Sequence, residues 1–182
     1  SNNMGKNCLN KLSGNITVGC TVPQVGVKNI YLMHTEDVTL TTDPSGIDIL
    51  TATVSSGGVV ILVEGYKQNI QVTSAIRTMD ASAKLDFNVS FKLPGVEGPT
   101  SARARLRALL TGRFYVLVEY QDGNNAFIGY TSPLECSGMD WDSNANASLM
   151  TVTLAAPEGS AGNYVMRAVS DAVNSIKSKV GV

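Results

Sequence analysis

From Leu85 to Leu154 the chain reads as a strand, an Arg-bearing helix, a tight hairpin and a last alternating strand, and that order leaves few folds open. Leu85, Phe87, Val89 and Phe91 alternate with Asp86, Asn88, Ser90 and Lys92, the period of two expected of a strand with one buried face. Pro94, Gly95, Gly98 and Pro99 break the chain. Thr100 or Ser101 can then cap a helix in which Leu106, Leu109 and Leu110 share one face, and Gly112 stops it. The runs Phe114 to Tyr120 and Ala126 to Tyr130 are separated by Asp122-Gly123-Asn124-Asn125, a hairpin signal because Asp-Gly accepts the positive φ angles of a tight turn. After Pro133, Leu134 to Met139 and Leu149 to Leu154 each suit a strand, with a polar loop from Asp140 to Ala147 between them. The second of these is expected to close the sheet.

Upstream, Ile47 to Ala52, Val59 to Glu64 and Ile70 to Met79 are strand-like, separated by Asp43-Pro44-Ser45-Gly46, Ser55-Ser56-Gly57-Gly58 and Gly65-Tyr66-Lys67-Gln68. About eight strands and two helices follow from this pass. The expected fold is mainly β: an antiparallel β-sandwich or partly open barrel with one packed short helix and a C-terminal helix. The chain has 182 residues, 43% of them hydrophobic and 16% charged. A core of that size needs neither disulfides nor a metal. One β domain over residues 27–157 is expected, preceded by an N-terminal segment, 1–26. A C-terminal extension, 158–182, follows, in which Tyr164 or Val165, Ala168, Val169, Ala172, Val173 and Ile176 recur at helical spacing.

The residues point away from catalysis. His34 is the only histidine, and no nucleophile elbow accompanies it, so the reading is a strand-end surface residue. Asp140-Trp141-Asp142-Ser143-Asn144 begins like a calcium loop, but Ala145 stands where that loop needs Gly and Thr151 where it needs Glu, which leaves an Asx-rich loop. Cys8, Cys20 and Cys136 are scattered, with no metal-binding spacing, and read as free thiols. No catalytic, cofactor or metal site is expected. A formal charge of −1 argues against general binding to a phosphate backbone. No apolar run approaches the 18 residues of a membrane span, and the start shows no basic segment joined to an apolar one.

Val27-Lys28-Asn29-Ile30-Tyr31-Leu32 followed by Glu36-Asp37-Val38, the Leu- and Arg-rich helix, the strand leading through Glu119 and Tyr120 to Asp122-Gly123, Gly129-Tyr130, and Met150-Thr151-Val152-Thr153-Leu154 occur in an order that resembles the tail-tube-like structural proteins of phages and prophages, particularly those of Bacteroides-type hosts. The resemblance covers roughly Val25 to Pro157. It implies a virion structural protein made in the host cytoplasm. Its copies would join into rings forming a tail tube through which the genome passes without sequence-specific binding, with other tail or neck proteins as further partners. Many members end soon after the last strand, so the resemblance gives no role to Gly159 to Val182.

Several residues are candidates for subunit contacts. Arg103, Arg105, Arg107 and Arg113 form a cationic cluster on and after the helix; they read either as a solvated face or as partners for acidic groups of the next protomer. Tyr66 and Lys67 lie on a turn that can project from the body. Trp141 either packs its loop or sits at a contact. Val165, Val169 and Val173 belong to a C-terminal helix that packs on its own sheet or on a neighbour's. Two other functions stay open: a neck, ring or head-completion component, and a carbohydrate-binding or adhesive β-sandwich, against which the 6% aromatic content speaks.

Overall fold

The computed structural model describes residues 26–65, 69–78, 83–94, 100–141 and 149–181. It is mainly β, with antiparallel sheets packed on each other and two helices. The strands are β1 (Val27–His34), β2 (Val38–Thr42), β3 (Asp48–Val54), β4 (Val60–Glu64), β5 (Ile70–Thr78), β6 (Ala83–Pro94), β7 (Arg113–Tyr120), β8 (Asn125–Ile128), β9 (Leu134–Trp141), β10 (Leu149–Ala155) and β11 (Arg167–Ala168). The helices are α1 (Thr100–Thr111) and α2 (Ser170–Lys177). The larger sheet runs β4-β1-β7-β9-β10-β6-β5, with β8 added on β7; the smaller runs β11-β3-β2.

Alternation along β1 explains the two-layer build. Ile30 and Leu32 enter one core with Val116 and Val118 of β7, Phe87, Val89 and Phe91 of β6, and Leu106 and Leu109 of α1. Tyr31 and Met33 point the other way, into a second core with Ile49 of β3, Phe127 of β8, and Ala172 and Ile176 of α2. A strand buried on both faces needs an unbroken apolar run, and Ile30-Tyr31-Leu32-Met33 supplies it. The smaller sheet and α2 therefore cover one face of β1 and β7, while α1 and the far strands of the larger sheet enclose the other.

The Asp-Gly hairpin forms as expected between β7 and β8, with Gly123 at φ +87°. Asp122 Oδ1 accepts from the Asn124 backbone N–H at 3.0 Å and Oδ2 from its side chain at 2.8 Å, which holds the Asp122 carboxyl below its ordinary value.

Four expectations need correction. The strand Leu149–Ala155 does not close the sheet; it lies inside it, hydrogen-bonded to β9 and to β6, and β4 and β5 are the outer strands of the path. Eleven strands occur among the described residues where about eight were expected; Val38–Thr42 and the two-residue Arg167–Ala168, which flank β3 in the smaller sheet, are among the additions. Leu110 is not inward: it is 57% exposed, since α1 touches the body along the narrow line of Leu106 and Leu109. The C-terminal helix starts only at Ser170, because backbone pairing claims the residues before it. Asn163 bridges Leu85, Met166 bridges Phe127, and Arg167–Ala168 runs parallel to Asp48 and Ile49. The extension thus supplies a strand to the smaller sheet and a helix to the second core.

Candidate assembly surfaces

The α1 surface carries the cationic cluster. Arg103, Arg105 and Arg107 are all exposed, and Arg103 Nη2 donates to Thr100 Oγ1 at 3.3 Å. Arg113 opens β7, where its Nε lies 3.3 Å from Oε1 of Glu135, the residue opposite it on β9. That pair is solvent-exposed and contributes little. Beneath α1 is an apolar cavity of about 130 Å³ lined by Leu32, Val63, Phe91, Leu93, Leu109 and Phe114. Arg105, Ala108 and His34 also line it. His34, the last residue of β1, stacks against Phe114 with 4.8 Å between ring centroids.

Trp141 ends β9 opposite Met150 of β10 and is 49% exposed. Met139, two residues earlier, packs against the first core, so alternation sets Trp141 on the same side of the strand, past the point where the core covers it. The loop beyond it and the turn residues Tyr66 and Lys67 lie outside the described residues.

The three C-terminal valines separate. Val169 and Val173 are half-buried against the second core of their own protomer, whereas Val165 is 65% exposed on the segment before β11. An ionic cluster ties α2 down: Lys177 Nζ pairs with Oε2 of Glu119, and Lys28 Nζ lies 3.8 Å from Oε1. Asn29 Nδ2 is 3.5 Å from the same Oε1, at the limit of a hydrogen bond. The Glu119 side chain is only 12% exposed, so its charge requires this company. The hydrogen bond to Glu119 holds the Lys177 ammonium above its ordinary value.

Sequence reasoning missed the outer edge of β5. This strand pairs with β6 over nine consecutive residues without a register shift and has no further partner among the described residues. Thr73 to Ile76 are exposed on both faces, and Ile76 is 73% exposed. Alternation with Ile70 and Val72 would have put Ile76 in a core; the small residues Ser74 and Ala75 were the available sign that the strand outruns it. Nearby, Tyr164 stands exposed with Lys84 Nζ 4.9 Å from its ring centroid.

No family model, curated relative or solved structure matches the chain. Among the described residues, no group of three or more His, Cys, Asp or Glu side chains gathers as a metal site, and no helix is long and apolar enough to cross a membrane.

Proposed function

We propose that this chain is a non-enzymatic virion structural protein of the tail-tube-like class, whose copies join side by side into rings that form a phage tail tube. The ordered likeness of Val25 to Pro157 to that class motivates the reading, and one structural observation carries it: the long, regular outer edge of β5, which has no strand partner among the described residues. A monomeric protein usually blunts such an edge with charges, proline, bulges or a covering loop. Here the strand has a continuous register, a single charged residue, Arg77, and an outward Ile76. Those properties suit pairing with a strand of another copy. The near-neutral charge supports passage of a nucleic acid without retention.

The test is negative-stain electron microscopy across a concentration series, with mass by light scattering. Rings or stacked tubes are expected. Single closed rings that never stack would move the assignment to a neck or ring component, and monomers at every concentration would speak against the reading.

A further inference from the structure

We propose that the outer edge of β5 receives residues 16–22 of a second copy of this chain as an added antiparallel strand. The inference rests on the assembly reading above and names the segment that one copy lends to the next.

The edge selects a strand of one pattern. β5 pairs with β6 from Ile70 to Thr78 without a register shift. Ile70 and Val72 pack on the first core, and Ser74 and Ile76 continue the same side of the strand past the point where the core covers it. Gln71, Thr73 and Ala75, on the opposite side, are exposed. A partner strand therefore needs apolar residues at every second position, small or polar ones between them, and no cation opposite Arg77.

The chain before Gly26, which lies outside the described residues, contains Ile16-Thr17-Val18-Gly19-Cys20-Thr21-Val22, an uncharged stretch rich in β-branched residues and followed by Pro23. Laid antiparallel with Ile16 opposite Ile76, it sets Val18 opposite Ser74, Cys20 opposite Val72 and Val22 opposite Ile70, so that all four apolar residues fall on the core side. Thr17, Gly19 and Thr21 then stand beside Ala75, Thr73 and Gln71, and Asn15 comes opposite Arg77. A slip of one residue would turn every apolar side chain of the segment to solvent. Antiparallel pairing also continues the pattern that joins β5 to β6 and is the slightly stronger arrangement per residue.

The lender is a neighbour. Thr73 to Ile76 are exposed on both faces, so this part of the edge stands clear of its own protomer. Within one copy, the Gly26 carbonyl accepts from the Gln121 N–H at 3.0 Å on the β7 side of β1, while Gly65, on the connection from β4 to β5, donates to the Lys28 carbonyl at 2.8 Å from the other side. To bring its own Val22 beside Ile70, a copy would have to carry Pro23 to Gly26 across that contact; a segment from a neighbour approaches the edge from outside. Segment and edge are different surfaces, so the contact is heterologous, and heterologous contacts generate rings when their rotation closes.

Cys20 is a native reporter of the register. In a chain carrying Cys8→Ser and Cys136→Ala, Val72→Cys is expected to give disulfide-linked dimers and higher multiples on oxidation with copper phenanthroline, because directly opposed strand residues lie within disulfide reach. Thr73→Cys, on the other side of the strand, is expected to give few. Ile16→Glu should raise the concentration needed for assembly by about tenfold or more, the scale of an uncompensated polar group at a covered position. Adding Ile76→Lys to Ile16→Glu should restore part of the assembly through an opposite-charge pair across the strands. A disulfide confined to single chains, equal linkage at Val72→Cys and Thr73→Cys, or an unchanged assembly concentration in Ile16→Glu overturns the added strand and leaves the ring assignment standing. A wild-type chain that stays monomeric at every concentration overturns both.

Discussion

Asn163 grips Ser132 through both backbone groups of that residue. Its Oδ1 accepts from the Ser132 N–H at 3.1 Å, and its Nδ2 donates to the Ser132 carbonyl at 3.0 Å; Asn163 is 1% exposed. Its own backbone meanwhile exchanges two hydrogen bonds of 2.9 Å with Leu85. Asn125 does the same to Ala168, accepting from its N–H at 2.8 Å and donating to its carbonyl at 3.0 Å. In each case a carboxamide stands in for a strand neighbour where the ladder runs out, and only an amide, with donor and acceptor on one plane, can do so.

Asn163→Ala should therefore cost about 3 kcal/mol, because it strands a buried donor and a buried acceptor of Ser132. Asn163→Asp should also destabilise, since a carboxylate cannot donate to the Ser132 carbonyl. Urea unfolding measures both. An unchanged midpoint in Asn163→Ala would remove the side chain from any role in joining the C-terminal segment to the sheet.

The leucines of α1 separate a reading by period from a reading by contact. Leu106→Ala should cost about 3 kcal/mol, the usual loss for a buried leucine. Leu110→Ala should stay within about 0.5 kcal/mol of wild type, as an exposed site does. Equal losses in thermal melts would mean that α1 is seated more deeply than the fold describes.

That contrast marks how much the sequence could disclose. Strong alternation in Leu85 to Phe91, the Asp122-Gly123 turn and the continuous apolar run of β1 are local signals, and the corresponding elements appear where they predict. The smaller sheet is legible only in part. Val38–Thr42 carries two inward apolar residues among threonines, and β11 pairs over two residues, so tertiary pairing decides both. The extended path of Asn163 to Ala168 overrides a genuine helical period in the same residues, because Leu85, Phe127 and Ile49 offer their backbone groups to it. At the surface, Trp141 and the arginines could be named from residue type, whereas the hollow beneath α1 and the outer edge of β5, unpartnered among the described residues, exist only once distant segments are brought together.

Two glycines are required for different reasons. A Cβ on Gly65 would lie 2.4 Å from the Lys28 carbonyl oxygen and 2.8 Å from that of Val27, both backbone atoms that cannot step aside. Gly123 has open space around it but a φ of +87°. Gly65→Ala should cost about 3 kcal/mol through forced displacement of β1, and Gly123→Ala about 1 kcal/mol through conformation alone. Gly123→Asn should recover part of the latter, as Asn tolerates the left-handed region. If Gly65→Ala proved the milder of the two in chemical denaturation, the close approach of β1 to Gly65 would be wrong.

The α2 tether should respond to alkali. Hydrogen bonding to Glu119 is the largest influence on Lys177 and raises it above 10.5, with partial burial opposing and the charges of Glu119 and Tyr31 adding to the rise. Lys177 also occupies the last turn of α2, where a cation is favoured by the helix dipole. Since the folded-state value lies above the unfolded one, the contribution is complete below the ordinary lysine value and fades as pH climbs through the raised one. The melting temperature of wild type should exceed that of Lys177→Met near pH 9, and the gap should narrow as the pH is carried above the ordinary lysine value and through the raised one. Glu119→Gln keeps the hydrogen-bond acceptor but removes the charge, so in that background the gap should be smaller and less dependent on pH. A gap that stays constant across the alkaline range would mean that Lys177 steadies α2 through the packing of its stem on Tyr31, over whose ring its ammonium lies at 5.9 Å, and not through its charge.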